Sequence, residues 1–230
     1  MSIPFNIEKS LTERKYLPNQ NISKLKELLL PGNQFRIPTL KELSDFDQLQ
    51  ISQFCLEHAI YQLPTIELIE FLKSEIGDMP AIEIGAGRGY IGKGLNIPIT
   101  DNCQQNWEGI KAHYKLFRQP TITYPTDIIE LDAISAINKY NPQVAIGSWV
   151  TQKYEDYMQN YQDVQANQFG VNEFELLRKV KKYIHIGNEE SHDKKEILRK
   201  YKVKRIYADW LVSRATNRTQ NVIYIFRGLA

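Results

Sequence analysis

The stretch Ala81-Ile82-Glu83-Ile84-Gly85-Ala86-Gly87-Arg88-Gly89-Tyr90-Ile91-Gly92 constrains this chain more than any other. A short apolar run passes at once into glycines at alternate positions, the pattern of a buried parallel strand turning into a helix beneath a ligand. Glycine suits such a turn because a Cβ would hold a ligand off the backbone, and because the turn can demand φ > 0. Glu83, near the strand end, is expected in the floor of the resulting cleft.

Three motifs compete for these glycines. Gly87-x-Gly89-x-x-Gly92 fits the dinucleotide fingerprint, which wants an acidic residue about 20 positions on. Asp101 lies only 14 after Gly87 (101 − 87). Gly87-x-x-x-x-Gly92-Lys93 has P-loop spacing, but Gly94 stands where the magnesium-binding Ser/Thr belongs, so that motif is excluded. Glu83-x-Gly85-x-Gly87-x-Gly89 resembles motif I of the class I S-adenosylmethionine (SAM) dependent methyltransferases, and this alternative accounts for Glu83 as well as the glycines. The plain alternative is a Gly-rich turn of an ordinary α/β domain.

The methyltransferase resemblance spans roughly residues 64–228. It implies a Rossmann-like, mostly parallel seven-stranded sheet with a C-terminal β-hairpin, behind a helical N-terminal extension (residues 1–63, with the α/β domain over 64–230). SAM would be the cofactor, cradled by Glu83, Gly85, Ala86, Gly87 and Gly89. Asp101, with Asn102 beside it, would accept the ribose hydroxyls. Asp132 and the Ala133 N–H would read the adenine edge. Gly147 and Ser148 would flank the sulfonium, with Trp149 and Asn188 on the acceptor. No Asn/Asp-Pro-Pro-Tyr/Phe signature of base-amino methylation is present. The chain also resembles a group of uncharacterised bacterial and phage methyltransferase-like proteins, through Leu63-Pro64-Thr65, the glycine loop, Ser148-Trp149-Val150-Thr151 and Ile186-Gly187-Asn188.

Along the chain, Pro31-Gly32-Asn33 and Ile37-Pro38-Thr39 break the N-terminal region into short helical pieces. Leu43, Phe46, Leu49, Phe54 and Ile60 give 40–61 a helical spacing. Thr65 is a plausible N-cap for a helix to Ile76 that buries Ile66, Ile69, Phe71 and Leu72 and ends at Gly77. A short helix over 90–95 precedes a strand at 97–100, with Asp101 at its carboxyl end. The following helix spans 104–117. The next strand is either 121–124 or 128–131; the second puts Asp132-Ala133 at its exit, with Asp127 as the fallback acid. Gln143 to Val150 reads as a central strand buried on both faces. Residues 154–169 read as a lid, 171–182 as an amphipathic helix, and 183–188, 205–208 and 222–226 as further strands. His58 and His185 read as packing histidines.

With 230 residues the chain suits one large domain. No apolar run approaches the ~18 residues of a membrane span, and the N-terminus lacks the order of a secretory signal, so a cytoplasmic location is expected. Cys55 and Cys103 lack CxxC spacing and are expected to be reduced. No metal site is expected. The net charge is +2, but residues 178–218 carry 13 Lys/Arg against 5 Asp/Glu, a local +8 that leaves −6 elsewhere. Such a face can attract nucleic acid, although solvated helix faces explain it without any recognisable nucleic-acid module. Methyl transfer from a sulfonium needs positioning above all, so no catalytic residue is assigned. The readings carried forward are a methyltransferase with an unidentified acceptor, a non-catalytic protein that keeps the fold, and an NAD-dependent oxidoreductase.

Overall fold

The structure, a computed structural model, describes residues 19–154 and 166–230. The N-terminal region forms helices α1 (Ser23–Leu29), α2 (Leu40–Leu43) and α3 (Gln48–Glu57), then strand β1 (Gln62–Leu63). The α/β part continues with α4 (Ile66–Ile76), β2 (Ala81–Ile84), α5 (Tyr90–Leu95), β3 (Ile99–Asp101), α6 (Glu108–Leu116), β4 (Ile129–Glu130), α7 (Ala133–Tyr140) and β5 (Val144–Ser148). The rest comprises β6 (Gln152–Lys153), β7 (Ala166–Asn167), α8 (Glu173–Lys179), β8 (Lys182–Asn188), α9 (Glu189–His192), α10 (Glu196–Lys200), β9 (Val203–Ile206), β10 (Val212–Ser213) and β11 (Asn221–Arg227).

The local chemistry sets these boundaries. Thr39 and Asp47 each close a capping box, with Glu42 and Gln50 reaching back. The second box restarts the chain after Phe46, so residues 40–61 hold two helices rather than one. Thr65 caps α4 by accepting from Leu68 N. Its hydroxyl also donates to Trp210 O at 3.1 Å. Thr65→Ala should therefore cost about 1 kcal/mol or somewhat more, read as a lower urea midpoint at unchanged m-value. The face α4 buries is Leu68, Ile69, Leu72 and Ile76, whereas Ile66, expected inside, is 37% exposed. The helix expected over 104–117 is split: a 3-10 turn at Gln104–Asn106 precedes Trp107, whose extended backbone starts α6.

One seven-stranded sheet runs β4-β3-β2-β5-β8-β11-β9. The first five are parallel, and β11 is antiparallel to both β8 and β9. The fold is thus Rossmann-like mixed α/β. The expected C-terminal hairpin is realised only as pairing: β9 and β11 are neighbours, but residues 207–220, with β10 in them, intervene in place of a tight turn. Of the two candidate third strands, 128–131 forms one and 121–124 does not. β5 is buried through Ile146 and Gly147, as a strand covered on both faces must be.

Each sheet face has its own apolar core. Ala136, Ile137, Leu176, Leu177, Tyr183 and Phe226 fill one; Leu68, Leu72, Ile146, Ile184, Ile223 and Leu211 fill the other. Burying each Leu, Ile or Phe is worth about 1.5–3 kcal/mol. The N-terminal helices make a third core from Leu25, Leu29, Ile51, Phe54 and Leu63, and Val212 of β10 completes it. β1 pairs with β10, and Gln48 Nε2 donates to Ser213 O and Ala215 O. No helix among the described residues is long and apolar enough to cross a membrane. The 154–169 segment, expected as a loop or lid, falls mainly outside the described residues; at its flanks β6 and β7 pair in parallel.

Candidate functional site

From β2 the chain runs through Gly85, Gly87 and Gly89 with φ of 57°, 56° and 67°. At two of them space is decisive as well. A Cβ on Gly85 would lie 2.6 Å from Val150 Cγ1, and one on Gly89 2.6 Å from Ile99 Cδ1. Gly92 serves a different purpose within α5. A Cβ there would come within 2.4 Å of Ile99 Cγ2 and 2.8 Å of Glu83 Oε2. Its absence lets the Glu83 carboxylate accept the Gly92 N–H at 2.7 Å, satisfying a free donor of the helix's first turn. Glu83 is 2% exposed, so it lies beneath that turn more than in an open cleft floor. Burial pushes its pKa up to about 8; the Gly92 N–H opposes this, and the nearby Asp101 charge adds to it.

Asp101 ends β3 as expected, yet its oxygens are committed within the chain. Oδ2 accepts from Gly87 N at 2.9 Å and Oδ1 from Cys103 N at 2.8 Å, and the Tyr124 hydroxyl is a further partner. Burial raises its pKa despite these bonds. The segment carrying Tyr124 lies over the glycine loop: Ile122 Cδ1 would be 3.2 Å from a Cβ on Gly87. Gln105 Oε1 fixes it by accepting from Ile122 N at 2.8 Å, while Gln105 Nε2 donates to Tyr114 Oη at 3.1 Å. Tyr114 Oη is in turn 2.9 Å from Tyr61 Oη.

The other expected site residues divide into two groups. Ala86 stays in the loop, its N–H bonded to Thr100 O. Ser148 reaches the pocket, with its Oγ buried and without a partner. Gly147 lies behind it, where a Cβ would meet Tyr183 Oη and Val150 Cγ2, each at 3.0 Å. Trp149 leaves β5 with φ 56°, a strained backbone for a bulky residue and a mark of functional positions. Its Nε1 donates to Gln62 Oε1 at 3.2 Å. Asn102 is turned aside, accepting from Gln104 N and approaching Phe169 O. Asp132 is spent as the N-cap of α7, accepting from Ile134 N, Ser135 N and the Ser135 hydroxyl; Ala133 begins that helix. The fallback acid Asp127 pairs with Lys93 at the surface. Asn188 is also placed differently from the acceptor role expected of it. It is buried, its amide donating to Asn217 and Asn221 and accepting from Glu190 N. His185 packs inside the sheet with its Nδ1 3.4 Å from Tyr183 Oη, while its Nε2 is buried without a partner.

What the structure gathers is a pocket between the carboxyl ends of β2 and β5. Glu83, Gly85, Gly87, Arg88, Ile122 and Ser148 line it on one side, and Tyr61 and Gln62 of the N-terminal region wall the other. Its volume is about 60 Å³, against roughly 300–1,000 Å³ for ligand sites in general. Tyr61, Gln62 and Ile122, which line the pocket, and Arg214, which packs on Tyr61, carry no signal in the sequence as site residues. None stands in a motif, and only the β1–β10 pairing brings residue 61 beside residue 214. Arg214 N donates to Tyr61 O, and its guanidinium carbon stacks 3.6 Å from the Tyr61 ring centroid and 5.8 Å from that of Trp149. Among the described residues, no group of His, Cys, Asp and Glu is arranged to hold a metal ion. The basic 178–218 region is partly neutralised within the chain: Lys182 and Lys204 both pair with Glu75, and Lys200 with Glu196.

No protein-family model and no curated protein matches the chain. Among solved structures, a Thermoplasma acidophilum protein superposes with a TM-score of 0.39 at 12% identity, covering 80% of this chain and 98% of that one. A Staphylococcus aureus protein provisionally assigned as a caffeoyl-CoA O-methyltransferase gives 0.36 at 14% identity, over 91% of this chain and 100% of that one. Likeness at this level carries no argument about activity.

Proposed function

We propose that this chain is a SAM-dependent methyltransferase of the class I fold, with its acceptor held beside Ser148 and Trp149. The carrying observation is the position of the glycine loop. In the order β4-β3-β2-β5, successive strands are added on one side of β2 and then on the other, and open α/β sheets bind ligands at the carboxyl ends of strands at such a reversal. Three left-handed glycines, the acid on the adjacent strand and an unpartnered buried hydroxyl meet at that point. The antiparallel β11 between β8 and β9 agrees with the resemblance.

These residues fit an adenosyl cofactor in kind; the room for it requires the Ile122–Tyr124 segment to withdraw. Asp101, released from Tyr124 and Gly87, would accept the ribose hydroxyls. The backbone of residues 85–89 would lie against the cofactor, and Ser148 Oγ would donate or accept at its methionine end. SAM, when bound, supplies a methyl group on a good neutral leaving group, so the chain's task is alignment. The filled cleft equally favours a second reading, a non-catalytic protein that keeps the fold.

Calorimetric titration separates the two. We expect micromolar binding of SAM and S-adenosylhomocysteine and none of NAD, with Asp101→Ala at least tenfold weaker and Ile122→Ala tighter, each variant's fold checked by circular dichroism. Absence of adenosyl binding, in Ile122→Ala as well, would leave the scaffold reading. NAD binding alone would return Gly87–Gly92 to the dinucleotide fingerprint.

A further inference from the structure

We infer that Arg214, stacked on the Tyr61 wall of the pocket, binds an oxyanion of the acceptor, a carboxylate or a phosphate. The proposal rests on the methyltransferase reading for the word acceptor, but the anion site itself does not. Arg214 is half-buried, with its guanidinium laid on the Tyr61 ring and its backbone N–H tied to Tyr61 O. A guanidinium is a planar fork of N–H donors, the geometry that matches an oxyanion bidentately. Among the described residues no carboxylate lies within ion-pair distance of it.

The surroundings have the same sign. Arg88 lines the pocket, its Nε donating to His58 O and its Nη1 lying 3.4 Å from Tyr90 Oη, with no carboxylate partner among the described residues. The acid lining the pocket, Glu83, is raised to about 8 by burial, which disfavours a negative charge there. Although burial opposes it, the Arg214 charge holds the Tyr61 phenol below its ordinary value. Trp149, with its strained backbone, stands next to this cation at the end of β5. A half-buried guanidinium with no carboxylate beside it among the described residues costs desolvation; an anionic ligand would offset it.

The test titrates the full chain with sodium phosphate and, separately, sodium benzoate, at ionic strength held constant with chloride. Binding is followed by calorimetry and by tryptophan fluorescence, with Trp149→Phe to assign the signal. We expect saturable binding of one of the two anions, at least tenfold weaker in Arg214→Gln and intermediate in Arg214→Lys, which keeps the charge and loses the fork. Phosphate binding would name a phosphomonoester acceptor, benzoate binding a carboxylic acid. Equal affinity in wild type and Arg214→Gln, or no saturable binding of either anion by wild type, would overturn the proposal. SAM affinity in Arg214→Gln should stay within twofold of wild type. Anion binding that needs Arg214 in a chain that ignores SAM would sink the methyltransferase reading and leave the anion site.

Discussion

Replacing Lys195 with methionine should lower the unfolding free energy by about 3–5 kcal/mol. Lys195 Nζ lies 2.7 Å from Glu173 Oε1, with both side chains 1% exposed. The Tyr183 hydroxyl donates to the same oxygen at 2.8 Å, while Glu173 Oε2 has no partner. Taking away the ammonium leaves a carboxylate in an apolar core with a single neutral donor. The loss is the penalty for that orphaned charge and not the net worth of the pair, so Lys195→Met with Glu173→Gln should recover most of it. Urea unfolding of the two variants tests this. If the double variant is no more stable than the single one, the ion pair was not what held Lys195 in place.

The second large effect is on pH dependence. Glu83, raised to about 8 in the fold, ionises near 4.3 when unfolded, taking the ordinary glutamate value of about 4.3. Between these values the native state binds the extra proton, so stability falls as pH rises through them. Asp101, also raised by burial, contributes with the same sign. His192 is lowered to about 3 and His185 well below its ordinary value, both first by burial. The unfolded chain therefore binds their protons below about pH 6.5, and stability rises with pH up to there. The urea midpoint should peak near neutrality and fall by a few kcal/mol equivalent toward pH 8, a limb that Glu83→Gln removes because the amide oxygen still accepts Gly92 N–H. A limb that persists in Glu83→Gln would place the titrating group elsewhere.

The sequence carried the frame well where one local rule acted alone. Thr65 as a cap, the alternate glycines after an apolar strand, and the continuous run at 144–148 each declare themselves within a few residues. The choice between 121–124 and 128–131 was settled by Asp132, whose side chain caps the helix that follows. The adenine role for Asp132 comes from the resemblance alone; in the structure its side chain caps α7. Asn188 shows the limit of local reading: a polar residue at a strand's carboxyl end can face a ligand or bind neighbouring turns, and its partners Asn217 and Asn221 lie too far along the chain to be foreseen. Ile122 over Gly87 and Arg214 on Tyr61 are products of tertiary pairing and leave no local signal.

The strand order has a consequence for the making of this protein. β11, the last strand in sequence, lies between β8 and β9 and not at an edge. During synthesis the parallel half, β2 to β5, can assemble from nearby segments, but β8 must keep an open hydrogen-bonding edge until residues 221–227 have emerged. Tyr61 likewise waits for β10, since Gln62 and Val212 are separated by 150 positions. Such distant pairings are slow to close. A chain ended before Asn221 would therefore present a long, apolar, unpaired strand, the kind of surface on which chains stick to one another.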